Sequence, residues 1–121
     1  MSLKHELFQL SQKMVLYDPA QKKFLVLKDA NTETEGYPIF GPWDLPGGRV
    51  EKDEDLKIAV EREVREEIGD VDFELGPIVG GYTIKLSSEK EALRKVHHYY
   101  LGTYRQGEIK ISKEHCEYYW A

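Results

Sequence analysis

The segment REVREEIG, residues Arg62 to Gly69, carries glutamates at positions 63, 66 and 67. At about 100° per residue, a helix through this segment has one apolar stripe formed by Leu56, Val60, Val64 and Ile68. Such a stripe is typical of a helix that packs on a core. Glu67 projects between Leu56 and Val60, inside the stripe, and an unpaired ionised carboxylate is costly to bury. The segment therefore predicts a core-facing helix with a carboxylate that needs a partner.

The three carboxylates of Glu63, Glu66 and Glu67 share a neighbouring sector of the same helical wheel. Charges about 6 Å apart at an effective dielectric near 20 repel by roughly 3 kcal/mol per pair. Arg62 and Arg65 project from the far side of the wheel, so we do not expect them to neutralise all three. A divalent cation could, and carboxylate oxygens suit Mg²⁺, Mn²⁺ or Ca²⁺ rather than zinc or copper. The alternative interpretation is a solvated acidic face.

Length and composition limit the kind of protein. At 121 residues the chain is long enough for one core and too short for two, so we predict a single domain over residues 1–121. It contains no apolar run long enough to span a membrane and no signal-peptide core, which predicts a cytoplasmic protein without a membrane partner. A net charge of −5 makes nucleic acid an unlikely partner, because binding through phosphate contacts needs a basic patch. A small phosphorylated ligand stays open, since metal ions can meet its charge locally.

Cysteine and histidine give little support for other chemistry. The lone Cys116 excludes an internal disulfide and a multi-cysteine zinc site, and we predict a small core residue there. Its neighbour His115 would point to the opposite face of a strand. His97 and His98 likewise face opposite ways and lack metal-ligand spacing, so we interpret both as structural or peripheral.

Strands are predicted on both sides of the helix. Residues rich in β-branched and aromatic side chains indicate strands at about 7–17, 24–28, 71–86 and 95–105. Turn chemistry at 18–23 joins the first two, and the polar residues 87–95 form a connector between the last two. Residues 29–42 are rich in glycine and proline and predict an exposed loop. The chain closes with a short strand in GEIKI, residues 107–111, followed by a turn and a final strand within 112–121.

The boundaries of the helix are predicted from its capping residues. Asp53 is the expected N-cap and Gly69 the expected end, so the helix should run from Glu54 to Ile68. Acidic residues in its first turn would complement the helix dipole. The preceding Gly47-Gly48 pair permits close approach of another element.

The spacing from Gly48 to Asp70 resembles the signature box of the Nudix hydrolases. It reads Gly48, five residues, Glu54, seven residues, and then REVREEIG. The one departure is Asp70, where the family usually has an aliphatic residue; here Val71 follows instead. The lead-in WDLPGG (43–48) and the closing EYYW (117–120) also resemble the family.

This resemblance implies a fold and an oligomer. The fold is a Nudix-like α/β/α sandwich around a mixed β-sheet. Family members usually continue past the closing tryptophan into another helix, whereas this chain stops at Ala121. We therefore expect that the usual C-terminal helix is lacking, with a homodimer as one way to cover the exposed face.

The resemblance also implies roles for individual residues. Glu63, Glu66 and Glu67 resemble the metal ligands of the box, with Glu63 alternatively the base that deprotonates water. Arg62 would orient a carboxylate, so the implied catalytic set is Glu63, Arg62, Glu66 and Glu67. Gly47 and Gly48 would form the close-packed substrate loop, and Glu54 would make an ion pair or an outer metal contact, unless it is simply a first-turn acid. Candidates for a further ligand outside the helix are Glu108, Glu114 and Glu117.

The implied reaction is Mg²⁺-dependent hydrolysis, with Mn²⁺ able to substitute, of a diphosphate linkage in a nucleoside diphosphate derivative. Lys85 and Ser87 stand where a proline and a tyrosine would favour ADP-ribose or diadenosine polyphosphates, so a nucleoside triphosphate is the favoured small-molecule substrate. Aromatic residues that could stack on its base, or simply pack in the core, are Tyr37, Phe40, Tyr82 and Tyr104. The alternatives are a non-catalytic nucleotide-sensing module of the same fold and an acidic-helix interaction domain that binds Ca²⁺ or a basic partner.

Overall fold

The computed structural model describes residues 7–30, 42–87 and 92–121. Tyr37 and Phe40 lie outside the described residues, so their predicted part in the substrate loop stays a prediction. The elements, in chain order, are β1 (Gln9–Asp18), β2 (Lys23–Asp29), β3 (Trp43–Asp44), β4 (Gly47–Arg49), α1 (Leu56–Ile68), β5 (Asp72–Ser87), β6 (Ala92–Gln106) and β7 (His115–Trp120).

The strands form a mixed sheet in the order β3-β2-β1-β6-β5, with β4 paired to β1 and β7 paired to β2. The β1–β6 pair is parallel and the other pairs are antiparallel. β1 and β2 pair only where they leave their shared turn, at Tyr17–Phe24 and Asp18–Lys23. Beyond that point β1 continues with β4 and β6, whereas β2 continues with β3 and β7. The sheet therefore has two halves that part from a common hairpin.

Helix α1 packs its apolar stripe against β1 and the strands beside it. Val60, Val64 and Ile68 are at most 1% exposed, and they join Met14 and Leu16 in the hydrophobic core. This confirms the predicted stripe except at its first member. Leu56 is 38% exposed because it is the first helical residue, and the buried Ala59 lies one turn further into the core.

The helix begins later than predicted. Its N-cap is Asp55, whose carboxylate accepts hydrogen bonds from the N–H groups of Lys57 at 3.1 Å and Ile58 at 3.2 Å. The predicted N-cap, Asp53, instead has a positive φ of 63° in the preceding turn. The first turn consequently contains no acidic residue. The predicted end at Gly69 is confirmed, since its N–H donates to the Arg65 carbonyl with a φ of 92°.

The prediction of a short strand in GEIKI is wrong. Residues 107–111 have no strand structure and instead cover the C-terminal end of α1. Lys110 N–H donates to the Ile68 carbonyl at 2.8 Å, and Ser112 N–H donates to the Glu67 carbonyl at 3.0 Å, which satisfies carbonyls that a helix end leaves unpaired. Ile109 is buried in the core. Its burial, rather than strand pairing, accounts for the apolar residues of this segment.

Other boundaries also differ from the prediction. Much of the expected connector at 87–95 belongs to strands, since β5 extends to Ser87 and β6 starts at Ala92. Cys116 is exposed, which corrects the prediction of a core residue. In the described parts of the chain α1 is the one helix, so the mixed-sheet α/β fold is confirmed there without the second helical layer of the predicted sandwich. That helix is not long and apolar enough to cross a membrane.

Candidate active site

A cavity of about 790 Å³ lies where the two halves of the sheet part. Two of its walls differ in chemistry. The carboxylate wall consists of Glu63 and Glu67 on α1 and Glu114 just before β7. The aromatic wall consists of Tyr82 on β5 with His97 and Tyr99 on β6. Such a division suits a ligand with a charged part and a flat part.

Glu67 is the most confined carboxylate of the cavity. It is only 7% exposed, which confirms the expectation that it lies within the apolar stripe. Its Oε2 accepts the Gly47 N–H at 3.4 Å, but no lysine or arginine of the described residues lies within 4.0 Å of it. Burial raises the pKa of Glu67 to about 8, although the positive charge of Lys13 opposes the shift. Within the described ranges, the buried carboxylate therefore lacks a direct lysine or arginine partner.

Arg62 organises the carboxylates on the outer side of the site. Its Nε and Nη2 donate to the two oxygens of Glu54 at 2.7 and 2.9 Å, a bidentate geometry that favours arginine. Its Nη1 donates to Glu63 at 3.1 Å and Glu66 at 3.2 Å. Arg62 thus reaches further round the helix than the wheel predicted, although it does not contact Glu67. The hydrogen bond from Arg62 lowers the pKa of Glu54, so Glu54 is an ion-paired residue and not a first-turn acid.

Two adjacent glycines fit closely against these carboxylates. A β-carbon added at Gly48 would lie 2.6 Å from Cδ of Glu63, a distance that atoms in proteins do not tolerate. Gly47 has a φ of 145°, and a β-carbon there would lie 2.7 Å from the Lys13 Cα. Glycine at both positions lets β4 pass between β1 and the helix, with Glu63 held against its backbone.

The structure adds residues that the sequence analysis did not include in the site. Lys13 forms an ion pair with Asp44 at 3.0 Å, which joins the two halves of the sheet across the cavity. His115 is 10% exposed, and its Nε2 lies 3.8 Å from Glu67 Oε2. Within the described chain its Nδ1 is buried without a hydrogen-bond partner. No local sequence signal relates these residues to α1, because strand register brings them there.

Of the predicted carboxylates, some line the cavity and others do not. Among the outside candidates only Glu114 lines it, whereas Glu108 and Glu117 do not. Glu66 also lies outside the lining; its side chain is 58% exposed and is held by Arg62. As they stand, no three histidine, cysteine, aspartate or glutamate side chains of the described residues form a cluster that could hold a metal ion.

The donors of the carboxylate wall nevertheless fit a hard divalent cation. Glu63, Glu67 and Glu114 supply the oxygen ligands that Mg²⁺ and Mn²⁺ prefer. The uncompensated burial of Glu67 would be relieved by a positive ion at this wall. The residues therefore match the implied cofactor in chemistry, while the three predicted ligands on the helix are not gathered around one point.

The structure corrects one interpretation of an aromatic residue and decides another. His97, predicted to be structural or peripheral, lines the cavity and stacks on Tyr82 with ring centroids 4.8 Å apart and planes inclined by 7°. Tyr104, predicted either to stack on a base or to pack in the core, packs against the core and is not part of the cavity lining. Its hydroxyl donates to the Gly107 carbonyl at 2.6 Å, and its ring packs edge-on against Trp120.

Comparison with known proteins agrees with this fold. The sequence profile of the NUDIX domain matches residues 7–121. A MutT protein from Methanosarcina mazei Go1 is 34% identical, with a TM-score of 0.75 over 98% of this chain and 79% of that one. The chain belongs to the NUDIX family. No curated protein matches it significantly.

More distant solved structures share the fold. An E. coli dihydroneopterin triphosphate pyrophosphohydrolase is 21% identical with a TM-score of 0.70, covering 95% of this chain and 82% of that one. An Ap4A hydrolase from C. elegans is 23% identical with a TM-score of 0.67, covering 93% and 78% respectively. At this identity the two structures establish the architecture alone.

Proposed function

We propose that this protein is a single-domain cytoplasmic hydrolase that cleaves a diphosphate linkage in a nucleoside diphosphate derivative, with nucleoside triphosphates as favoured substrates. The observation that carries the proposal is the position of Glu67. This carboxylate is 7% exposed, lines a large cavity and has no direct lysine or arginine partner among the residues that the structure describes, so it is arranged to receive a cation. Because Glu67 lies within the NUDIX box, we expect the cation to take part in the cleavage of a diphosphate.

Glu63 and Glu67 are the proposed core of the metal-binding set. Both line the cavity from successive turns of α1, and Gly48 holds Glu63 in place. The third metal ligand would be either Glu66 or Glu114. Glu114 already faces the cavity, whereas Glu66 would have to leave its 3.2 Å contact with Arg62.

The other residues of the site bind, orient or accept a proton. Arg62 positions Glu63 through a hydrogen bond, and the bidentate contact with Glu54 holds Arg62 itself in place. Residues that contact a metal ligand commonly have such a positioning role. Glu63, which keeps one oxygen on Arg62, is also the candidate to accept a proton from the attacking water. A bound Mg²⁺ or Mn²⁺ would neutralise charge on the diphosphate oxygens and lower the pKa of a bound water.

The experiment is a measurement of phosphate and pyrophosphate release with Mg²⁺, with Mn²⁺ and with EDTA. The panel comprises nucleoside triphosphates, nucleotide sugars, ADP-ribose and dinucleoside polyphosphates. We expect turnover of one class that EDTA abolishes and that Glu67→Gln reduces by roughly 100-fold or more. Glu61→Gln is the matched control, because Glu61 lies on the same helix but pairs with Arg65 outside the cavity.

Two further variants distinguish the third ligand. Glu66→Gln and Glu114→Gln each remove one charge, and the one that weakens Mg²⁺ activation identifies the residue. Binding of a nucleotide without turnover of any panel member would favour the non-catalytic sensing module over the hydrolase.

A further inference from the structure

Side chains on one face of the sheet line up across four strands. On this face Ser11 of β1 lies opposite Arg49 of β4 on one side and opposite His97 of β6 on the other. His97 in turn lies opposite Tyr82 of β5. All four residues line the cavity, so they form one row, Arg49, Ser11, His97 and Tyr82, which we call the cross-strand row.

The stack of rings in the cross-strand row ends at Ser11, which lines the cavity although it is 7% exposed. Tyr82 and His97 stack at 4.8 Å with nearly parallel planes, which equals the usual spacing of neighbouring strands. The next member, Ser11, has no ring to continue the stack. Arg49 follows on the strand beyond, about 9.6 Å from His97 by the same spacing. A flat ring above Ser11 would therefore contact the imidazole on one side and the guanidinium on the other.

One edge of this position carries an acceptor that has no hydrogen-bond partner among the described residues. Gln9 precedes Ser11 by two residues on β1, so it faces the same side of the sheet, and it lines the cavity. Within the described parts of the chain, Gln9 Oε1 is buried and accepts no hydrogen bond. A buried polar atom of this kind normally has a partner, and the edge of a ligand in the position could supply one.

Two cations stand beside the same position. Lys95 lies opposite Gln9 on β6, next to the cross-strand row, and neither it nor Arg49 has an ion-pair partner among the residues described. Burial lowers the pKa of Lys95, and the positive charge of Arg49 lowers it further. A hydrogen-bond acceptor on the edge of the ligand would relieve the repulsion between the two cations.

We propose that the space above Ser11 binds the nucleobase of the substrate, stacked between His97 and Arg49, with Gln9 as a hydrogen-bonding residue at its edge. A nucleobase fits because it combines a flat face, which both imidazole and guanidinium stack on, with polar edge atoms. Its attached phosphates extend the other way, past Lys13 and Gly47, towards the carboxylate wall. This assignment rests on the proposed function and extends it to the recognition of the base.

The wild-type protein provides the first test. Methylene-bridged, non-hydrolysable nucleoside triphosphates are added to the Mg²⁺-loaded protein, and inorganic tripolyphosphate serves as the ligand without a base. We expect the nucleotides, and not tripolyphosphate, to shift the imidazole proton resonances of His97 upfield through the ring current of the base. Equal shifts with both ligands, or no shift, would overturn the assignment.

Variants test the same position by affinity. His97→Ala should weaken nucleotide binding about tenfold, as loss of one base stack does, with tripolyphosphate binding unchanged. Ser11→Phe should weaken nucleotide binding similarly, because the phenyl ring would fill the position of the base. Thr83→Phe is its control, because Thr83 is exposed and, as the residue after Tyr82, lies on the opposite face of β5. Equal losses for both ligands in His97→Ala would contradict the proposal, even if Ser11→Phe does not fold.

This test is separate from the test of hydrolysis. Turnover on the substrate panel without a base-dependent shift of His97 would leave the hydrolase proposal intact and remove the base site. A base-dependent shift without turnover of any nucleotide would do the reverse.

Discussion

The Glu63 carboxylate lies directly over the α-carbon of Gly48, where a β-carbon would stand 2.6 Å from Glu63 Cδ. Gly48→Ala should therefore displace Glu63 from the cavity and lower metal-dependent turnover by roughly 10- to 100-fold, the usual cost of disturbing groups that orient a metal ligand. The measurement is turnover as a function of Mg²⁺ concentration. Gly80→Ala is the control, since nothing lies within 4 Å of a β-carbon at that position, and equal activity in both variants would contradict the role of Gly48.

Replacement of Arg62 by lysine tests the hydrogen bonds that Arg62 donates to Glu54 and Glu63. Lysine keeps the charge but cannot make the bidentate contact to Glu54 while also donating to Glu63. We expect Arg62→Lys to lower turnover roughly 10-fold or more. Arg65→Lys should change turnover little, because Arg65 contacts Glu61 and the ring of Phe73 outside the cavity. Similar losses in the two variants would mean that Arg62 acts through general helix stability.

Much of the fold follows from local patterns, whereas the composition of the site depends on long-range pairing. The helical period alone places Glu67 in the apolar stripe, and Gly69 marks the helix end. The start was misplaced because both Asp53 and Asp55 are good N-caps, and in the structure it is the Asp55 carboxylate that contacts the N–H groups of Lys57 and Ile58. That contact is not visible in a capping pattern.

The pairing register of the strands explains why sequence patterns did not place His97 and His115 in the site. His97 and Ser11 share a row only because β1 and β6 pair in parallel in one register, and a shift by one residue would turn His98 to the cavity instead. His115 reaches Glu67 in the same way, through β7. The sequence relates His115 only to its neighbour Cys116, from which it points away on a strand.

Ile109 should contribute to stability although it lies in no strand. It is 9% exposed and belongs to the hydrophobic core, so Ile109→Ala should lower the free energy of unfolding by about 2–4 kcal/mol. The same change at Ile58, which is 64% exposed, should cost less than about 1 kcal/mol. Denaturant unfolding of both variants measures the difference, and a small effect at Ile109 would mean that the segment before β7 is not packed on the core.

Glu67 should make the metal-free protein less stable as pH rises. Its pKa of about 8 in the folded protein lies above the ordinary value of 4.5 for an unfolded chain, so protonation of Glu67 stabilises the fold, and this stabilisation is complete below pH 4.5. That contribution is lost between the two values, by up to about 5 kcal/mol. In EDTA, Glu67→Gln should consequently melt at a higher temperature than wild type at pH 8 and at a similar temperature at pH 5.

Mg²⁺ should reverse this order at pH 8. A cation that binds the ionised Glu67 stabilises the folded wild type by mass action, whereas the glutamine variant cannot supply the charge. Thermal unfolding of wild type, Glu67→Gln and the control Glu61→Gln, each with Mg²⁺ and with EDTA, measures the effect. If Mg²⁺ raised the melting temperature of Glu67→Gln as much as that of the other two proteins, the ion would bind elsewhere, and the buried carboxylate would need another partner.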